Sequence, residues 1–214
     1  MDHPASLAPP LQPLPACEES LELLRRGRDG DRPALDALIL RYQDRVRRVV
    51  SIRMGRQFAG LLDAHDLAQD TWLAALRGLN GFQPHDHASI IQWLTRIAEN
   101  QVLDAADRVH AQKRDRRREV ADVAAFGSSS GAAAAPGPSP SQAASGRELT
   151  ALYDACVAEL PESWREVVLL KEYTLLGWQE ICDQLGRANV HATQELYRRA
   201  QLRLGEMLKQ RLAP

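Results

Sequence analysis

At 214 residues and 44% hydrophobic content the chain has apolar material for one or two small cores, and a formal net charge of -1 excludes a protein that coats nucleic acid through bulk charge. Its 3 cysteines, Cys17, Cys156 and Cys182, are too few and too widely spaced for a disulfide framework or a zinc site, so no metal or other cofactor is expected. No apolar run approaches the ~20 residues that cross a bilayer, and the N-terminus lacks the charged-then-apolar order of a signal peptide, so the expected location is the cytoplasm, with no membrane partner.

Residues 1–17 carry Pro4, Pro9, Pro10, Pro13 and Pro15, which remove backbone donors and block helix, and read as a disordered lead. From 18 to 122 the pattern is helical, with no sustained alternation of the strand type. Asp63 is placed to cap a helix whose apolar positions Ala68, Trp72, Ala75 and Leu79 share one face, leaving Gln69, Asp70, Leu73 and Arg77 on the other. A second helix is expected to open on the capping-box pair Ser89 and Gln92 and to continue with Ile90, Trp93, Leu94, Ile97 and Ala105 on its apolar side. Opposite that stripe lie Arg96, Asn100 and Asp104, and the helix runs on into Arg108, Lys113, Arg114, Arg116, Arg117 and Arg118. A neutral helix thus becomes a basic one.

Residues 123–146 switch to low complexity, with Ser128 to Ser130, Ala132 to Ala135 and the spaced prolines Pro136, Pro138 and Pro140. They read as a flexible linker without core-forming residues. About 23 extended residues at ~3.3 Å each reach roughly 75 Å, comparable to about 20 base pairs of duplex. A second helical block follows at 147–212. Leu149, Leu152, Tyr153, Cys156, Val157 and Leu160 form an amphipathic helix ended by Pro161, which suits the first turn of the next, whose buried side is Trp164, Val167 and Val168. Gly177 as N-cap, a short helix with Ile181 and Leu185, and Gly186 as the left-handed turn residue make the front half of a helix-turn-helix. Asn189 caps the last helix. Its expected buried stripe is Thr193, Leu196, Tyr197, Ala200, Leu204 and Met207, with His191, Gln194, Glu195, Arg198 and Gln201 outward, where a major groove would meet them. The expected fold is all-α, two small helical domains on a flexible tether.

Each of these features has a plain reading. A basic helix end is usually solvated, a helical hairpin usually belongs to a bundle, and tryptophans are usually core, Trp93 being the one set aside here as a candidate for splayed bases. Together the blocks resemble a known family, the bacterial RNA polymerase sigma factors of the small, two-domain extracytoplasmic-function type. Asp66-Leu67-Ala68-Gln69-Asp70-Thr71-Trp72-Leu73 is similar to the family's polymerase-binding helix, and Trp93-Leu94-Thr95-Arg96-Ile97-Ala98-Glu99-Asn100 to its promoter-melting helix. Gln112-Lys113-Arg114 resembles the basic end of that region, and Leu160-Pro161, Arg165-Glu166-Val167, Gly177, Glu180-Ile181 and Leu185-Gly186 fall where the family places its helix-turn-helix domain.

The resemblance implies a sigma region 2-like bundle at 18–122 and a region 4-like domain at 147–212, and a non-enzymatic role in which the polymerase performs the chemistry. It implies core RNA polymerase and promoter DNA as partners, admits an anti-sigma protein, and calls for no small-molecule substrate. Asp66, Gln69, Asp70 and Leu73 would face the polymerase. Trp93, Arg96, Asn100, Gln101, Arg108, Lys113 and Arg114 would lie near the minus-ten element, where a basic groove with aromatic or amide groups holds a single strand. Arg187, Asn189, His191, Gln194, Arg198 and Arg199 would serve minus-thirty-five recognition, Arg and Gln being suited to guanine and adenine edges. Glu195 departs from the basic face usual in the family, and could read cytosine or point aside.

Three alternatives stand beside this reading. A stand-alone helix-turn-helix regulator would bind an operator without polymerase. A metal hydrolase would be built on His65-Asp66 and His85-Asp86-His87, although neighbouring residues point different ways and a site needs three or four converging ligands. A structural helical adaptor would leave the basic helix ends unexplained.

Overall fold

The computed structural model describes residues 17–55, 58, 60–84, 87–120, 142–174 and 176–213. The expected lead at 1–17 lies outside them except for Cys17, as does the expected linker up to residue 141. Among the described residues every regular element is helical.

The first block contains α1 (Cys17–Arg28), α2 (Arg32–Met54), α3 (Ala64–Gly78) with a 3-10 turn at Leu79–Gly81, and α4 (His87–Val120). Asp31 starts α2 by accepting a bond from the Ala34 amide at 3.1 Å, with Pro33 in the first turn. Tyr42, Val46, Val49, Val50 and Ile52 of α2 are fully buried, because α1, α3, α4 and a helix of the second block all pack against it. Its solvent side, with Asp36, Leu40, Asp44, Arg47 and Ser51 exposed, keeps the helical period. On α4, Ile90, Ile91, Leu94, Ala98, Val102 and Ala105 are buried, the three-and-four spacing read from the sequence. The helix begins two residues before Ser89, however, so the Ser89–Gln92 pair lies within its first turns rather than capping it.

The second block contains α5 (Gln142–Ala158), α6 (Glu162–Val168) continued by a π-helical turn at Leu169–Tyr173, α7 (Trp178–Gln184) and α8 (Val190–Leu212). Helix α5 starts inside the stretch expected to be linker and carries Gly146 in its second turn. Pro161 is the N-cap of α6, one residue ahead of the expected first-turn place, with φ -50 and ψ 144. The π-turn widens the helix by one residue per turn, and all three of Leu169, Leu170 and Tyr173 end up buried. Helix α8 is the spine of this block, contacted by α5, α6 and α7.

The two blocks are packed on each other. One cluster of buried apolar side chains runs from Leu24 through α2 to Leu204 and Met207, and α2 meets both α5 and the π-turn. In this structure the two helical blocks share a face.

Candidate polymerase and nucleic-acid interfaces

Helix α3 is set by Asp63, whose carboxylate accepts from the His65 amide at 2.7 Å. Leu67, Ala68, Thr71 and Ala75 turn inward, the Thr71 hydroxyl donating to the Leu67 carbonyl at 2.7 Å. That rotation leaves Asp66, Gln69, Asp70 and Arg77 exposed, together with Leu73 at 50% and Leu76 at 39%. Asp66 lies in the first turn, where the helix dipole favours an anion, and Gln69 is hydrogen-bonded to His65 at 2.9 Å. Two bare leucines rimmed by carboxylates are the composition of a protein-binding patch.

On α4, Arg96, Asn100, Asp104 and Arg108 are exposed and Gln101 is half-buried. Arg108 donates back to the Asp104 carbonyl at 3.2 Å, tying it to its own helix. Trp93 is half-buried and stacked on Phe82, with ring centroids 4.3 Å apart and an interplanar angle of 6°. One ring face is therefore already covered by Phe82, whose loop is held by Arg28 donating to the Leu79 and Phe82 carbonyls. The side chains of Lys113 and Arg114, and those of Arg116 to Arg118, lie outside the described residues.

The helix-turn-helix forms around three backbone devices. The Gly177 amide donates to the Glu180 carboxylate at 2.7 Å, starting α7. Gly186 has φ 58, the left-handed conformation a sharp turn requires, and the Arg187 amide closes back on the Cys182 carbonyl at 2.9 Å. Asn189 caps α8, its side-chain oxygen accepting from the Ala192 amide at 2.7 Å, which commits one of that oxygen's two lone pairs to the helix start. His191, Arg198 and Arg199 are exposed, while Arg187 and Gln194 are half-buried.

Glu195 neither points aside nor stands open. Its carboxylate accepts from Arg198 Nε at 2.8 Å, Arg198 Nη2 at 2.7 Å and Arg199 Nε at 3.1 Å. These guanidiniums, Arg198 first, hold its carboxyl down to about 2. Gln201 is corrected: it is buried at 3% exposure, not outward. It lies one turn beyond Tyr197, on the side of α8 that meets the π-turn, and both side chains donate to the Glu172 carboxylate.

The charged residues that sequence reading did not single out lie between the blocks. Arg45, Arg48 and Arg53 of α2 face the second block. The signal was present: Arg45 falls three residues after Tyr42 and one before Val46, inside an apolar stripe, where a charge needs a partner. As for the proposed hydrolase, His85 lies outside the described residues and His65 is exposed on α3, hydrogen-bonded to Gln69. Among the described residues no three His, Cys, Asp or Glu side chains converge as metal ligands would.

The sigma-70 region 2 family model matches residues 38–117, from within α2 to near the end of α4. The chain is 28% identical over 167 residues to the RNA polymerase sigma-H factor of Pseudomonas aeruginosa, covering 77% of this chain and 81% of the relative. It is 29% identical over 160 residues to the ECF RNA polymerase sigma-E factor of Escherichia coli K12, covering 74% and 78% respectively. With the ECF RNA polymerase sigma factor SigE of Mycolicibacterium smegmatis the identity is 30% over 154 residues, covering 72% of this chain and 54% of the relative. Residues 38–117 thus belong to the sigma-70 region 2 family, and the chain is similar over about three quarters of its length to sigma factors of the extracytoplasmic-function group.

Proposed function

We propose that this chain binds core RNA polymerase in the cytoplasm and directs promoter recognition and transcription initiation, without catalytic chemistry of its own. The observation that carries this is the coincidence of the region 2 match at 38–117 with a bundle that leaves Asp66, Gln69, Asp70 and Leu73 exposed along α3. These four residues form the polymerase contact. Arg96, Asn100, Gln101 and Arg108, continued by Lys113 and Arg114, serve the minus-ten strand, with the half-buried Trp93 beside them. Arg187, His191, Gln194, Arg198 and Arg199, with the amide of Asn189, serve the minus-thirty-five duplex. An anti-sigma protein would regulate the chain by covering one of these surfaces.

The test is gel filtration and in vitro transcription with bacterial core polymerase. Wild type should co-elute with core and support initiation. Asp70→Arg and Leu73→Ala should each weaken co-elution at least tenfold with unchanged helicity, because both side chains are exposed. Transcription unaffected by either substitution would remove the assignment of this face, and absence of any complex with core would favour a stand-alone regulator.

A further inference from the structure

The π-turn between α6 and α7 sends two adjacent polar side chains to two different helices. The Glu172 carboxylate accepts from the Tyr197 hydroxyl of α8, and Gln201 Nε2, one turn further along α8, reaches the same oxygen at 3.5 Å. The Lys171 ammonium lies 4.6 Å from the centre of the Trp178 ring of α7 and donates to the Leu176 carbonyl at 3.4 Å. The circuit closes where the Trp178 and Tyr197 rings meet edge to face, their centroids 5.3 Å apart. Successive residues of a helical turn point in well separated directions, so this one turn grips both halves of the helix-turn-helix.

We propose that Glu172 is a positioning residue for promoter recognition: through Tyr197 and Gln201 it fixes the rotation of α8, and with Lys171 it sets α8 against α7. The consequence for promoter choice rests on the reading of α8 as the helix that meets the minus-thirty-five duplex; the fixing of α8 does not.

The rest of the inner face of α8 gives little rotational control. Ala200, Leu204 and Met207 are buried there, and apolar packing is tolerant, helix crossings scattering by about 15–20°. Thr193 turns its hydroxyl to the Asn189 carbonyl at the start of its own helix, at 3.2 Å. A rotation of about 15° carries a side chain at a radius of ~6 Å through about 1.5 Å. Arg198 directly follows Tyr197, and a shift of that size takes a guanidinium out of the ~2.7–3.2 Å range in which it donates to a base edge.

Two directional bonds on consecutive turns hold both the rotation and the rise of the helix. Tyr197 and Gln201 are buried, so loss of the carboxylate leaves donors that bulk water does not reach, and α8 must shift to satisfy them. Toward its other end α8 is tied separately, Arg211 pairing with Glu159 of α5 at 2.5 Å. Glu172 therefore governs the half of α8 that carries Arg198 and Arg199.

The test uses the full chain bound to core polymerase. The probes are a promoter duplex selected from random sequence by the wild-type holoenzyme and the same duplex with its upstream element scrambled; the ratio of the two affinities is the discrimination. Glu172→Ala should lower that ratio about tenfold, the discrimination one well-placed base contact supplies, with core binding unchanged. Glu172→Gln, which keeps an acceptor for Tyr197, should restore most of it. Tyr197→Phe should lower it as well, and the double variant should be no worse than Glu172→Ala, because the two act through one bond. Unchanged discrimination in Glu172→Ala, equal loss of affinity for both duplexes, or a Glu172→Gln variant as poor as Glu172→Ala overturns the proposal. If Glu172→Ala loses helicity by circular dichroism, Tyr197→Phe decides: lowered discrimination at native helicity supports the proposal, and wild-type discrimination overturns it. A wild type with no preference for the upstream element sinks the reading of α8 instead. Amide hydrogen exchange of the free chain then decides the fixing of α8, which faster exchange from Thr193 to Leu204 in Glu172→Ala upholds and unchanged exchange overturns.

Discussion

Glu195 sets the character of the recognition helix. It engages Arg198 and Arg199 at helical spacings of three and four residues, and exposed pairs of this kind add little to stability. Their consequence is electrostatic, since two cations that could meet phosphate are partly neutralised by their own neighbour. Arg198→Ala in the holoenzyme is expected to lower the slope of log affinity against log salt by about one unit if it touches a phosphate. Glu195→Gln should do the opposite, steepening the slope and raising affinity for non-promoter duplex. Equal slopes for wild type and Glu195→Gln would show that the carboxylate does not restrain the arginines. The folded carboxyl titrates at about 2, below the ~4.3 of a free glutamate. Its pairing is therefore fully present above the unfolded value and is lost only as pH falls through about 2, so it gives DNA binding no pH dependence near neutrality.

Two helices show how differently local and tertiary forces hold these elements. Helix α8 relies on a cap: Asn189→Ala removes the acceptor for the Ala192 amide and is expected to cost about 0.5–2 kcal/mol in thermal or urea unfolding. Helix α4 relies on burial: Ile91, with 0% exposure, becomes a cavity in Ile91→Ala, at an expected cost of about 2–5 kcal/mol. A larger effect from the cap than from the cavity would mean that α8 is only weakly supported by its tertiary contacts. The apolar faces of α3, α4 and α8 were legible in the sequence because each packs on one main side and keeps a helical period. Helix α2 was not singled out, although Ala34, Leu38, Tyr42, Val46 and Val49 keep a helical period, because Arg45 interrupts that face and only its contact with the second block accounts for a charge there. Gln201 misled because a polar residue next to Ala200 reads as solvent-facing unless its partner, the half-buried Glu172, is known.

For the molecule as a whole, the question is how far apart the two recognition surfaces can move. If the 123–146 stretch acts through reach, halving it should leave core binding within about twofold of wild type and sharply reduce initiation from promoters that need both elements. Full initiation after shortening would show that its length is merely tolerated.

Helices α3 to α8, the caps at Asp63, Gly177 and Asn189, the turn at Gly186 and the family motifs were written in the sequence, because each depends on residues within a few positions of one another. Tertiary structure alone decided that Trp93 rests on Phe82, that Gln201 turns inward, and that Arg48 meets Asp154 across 106 positions of chain. Local periodicity says which side of a helix is apolar. It carries no record of which distant carboxylate a buried arginine will find.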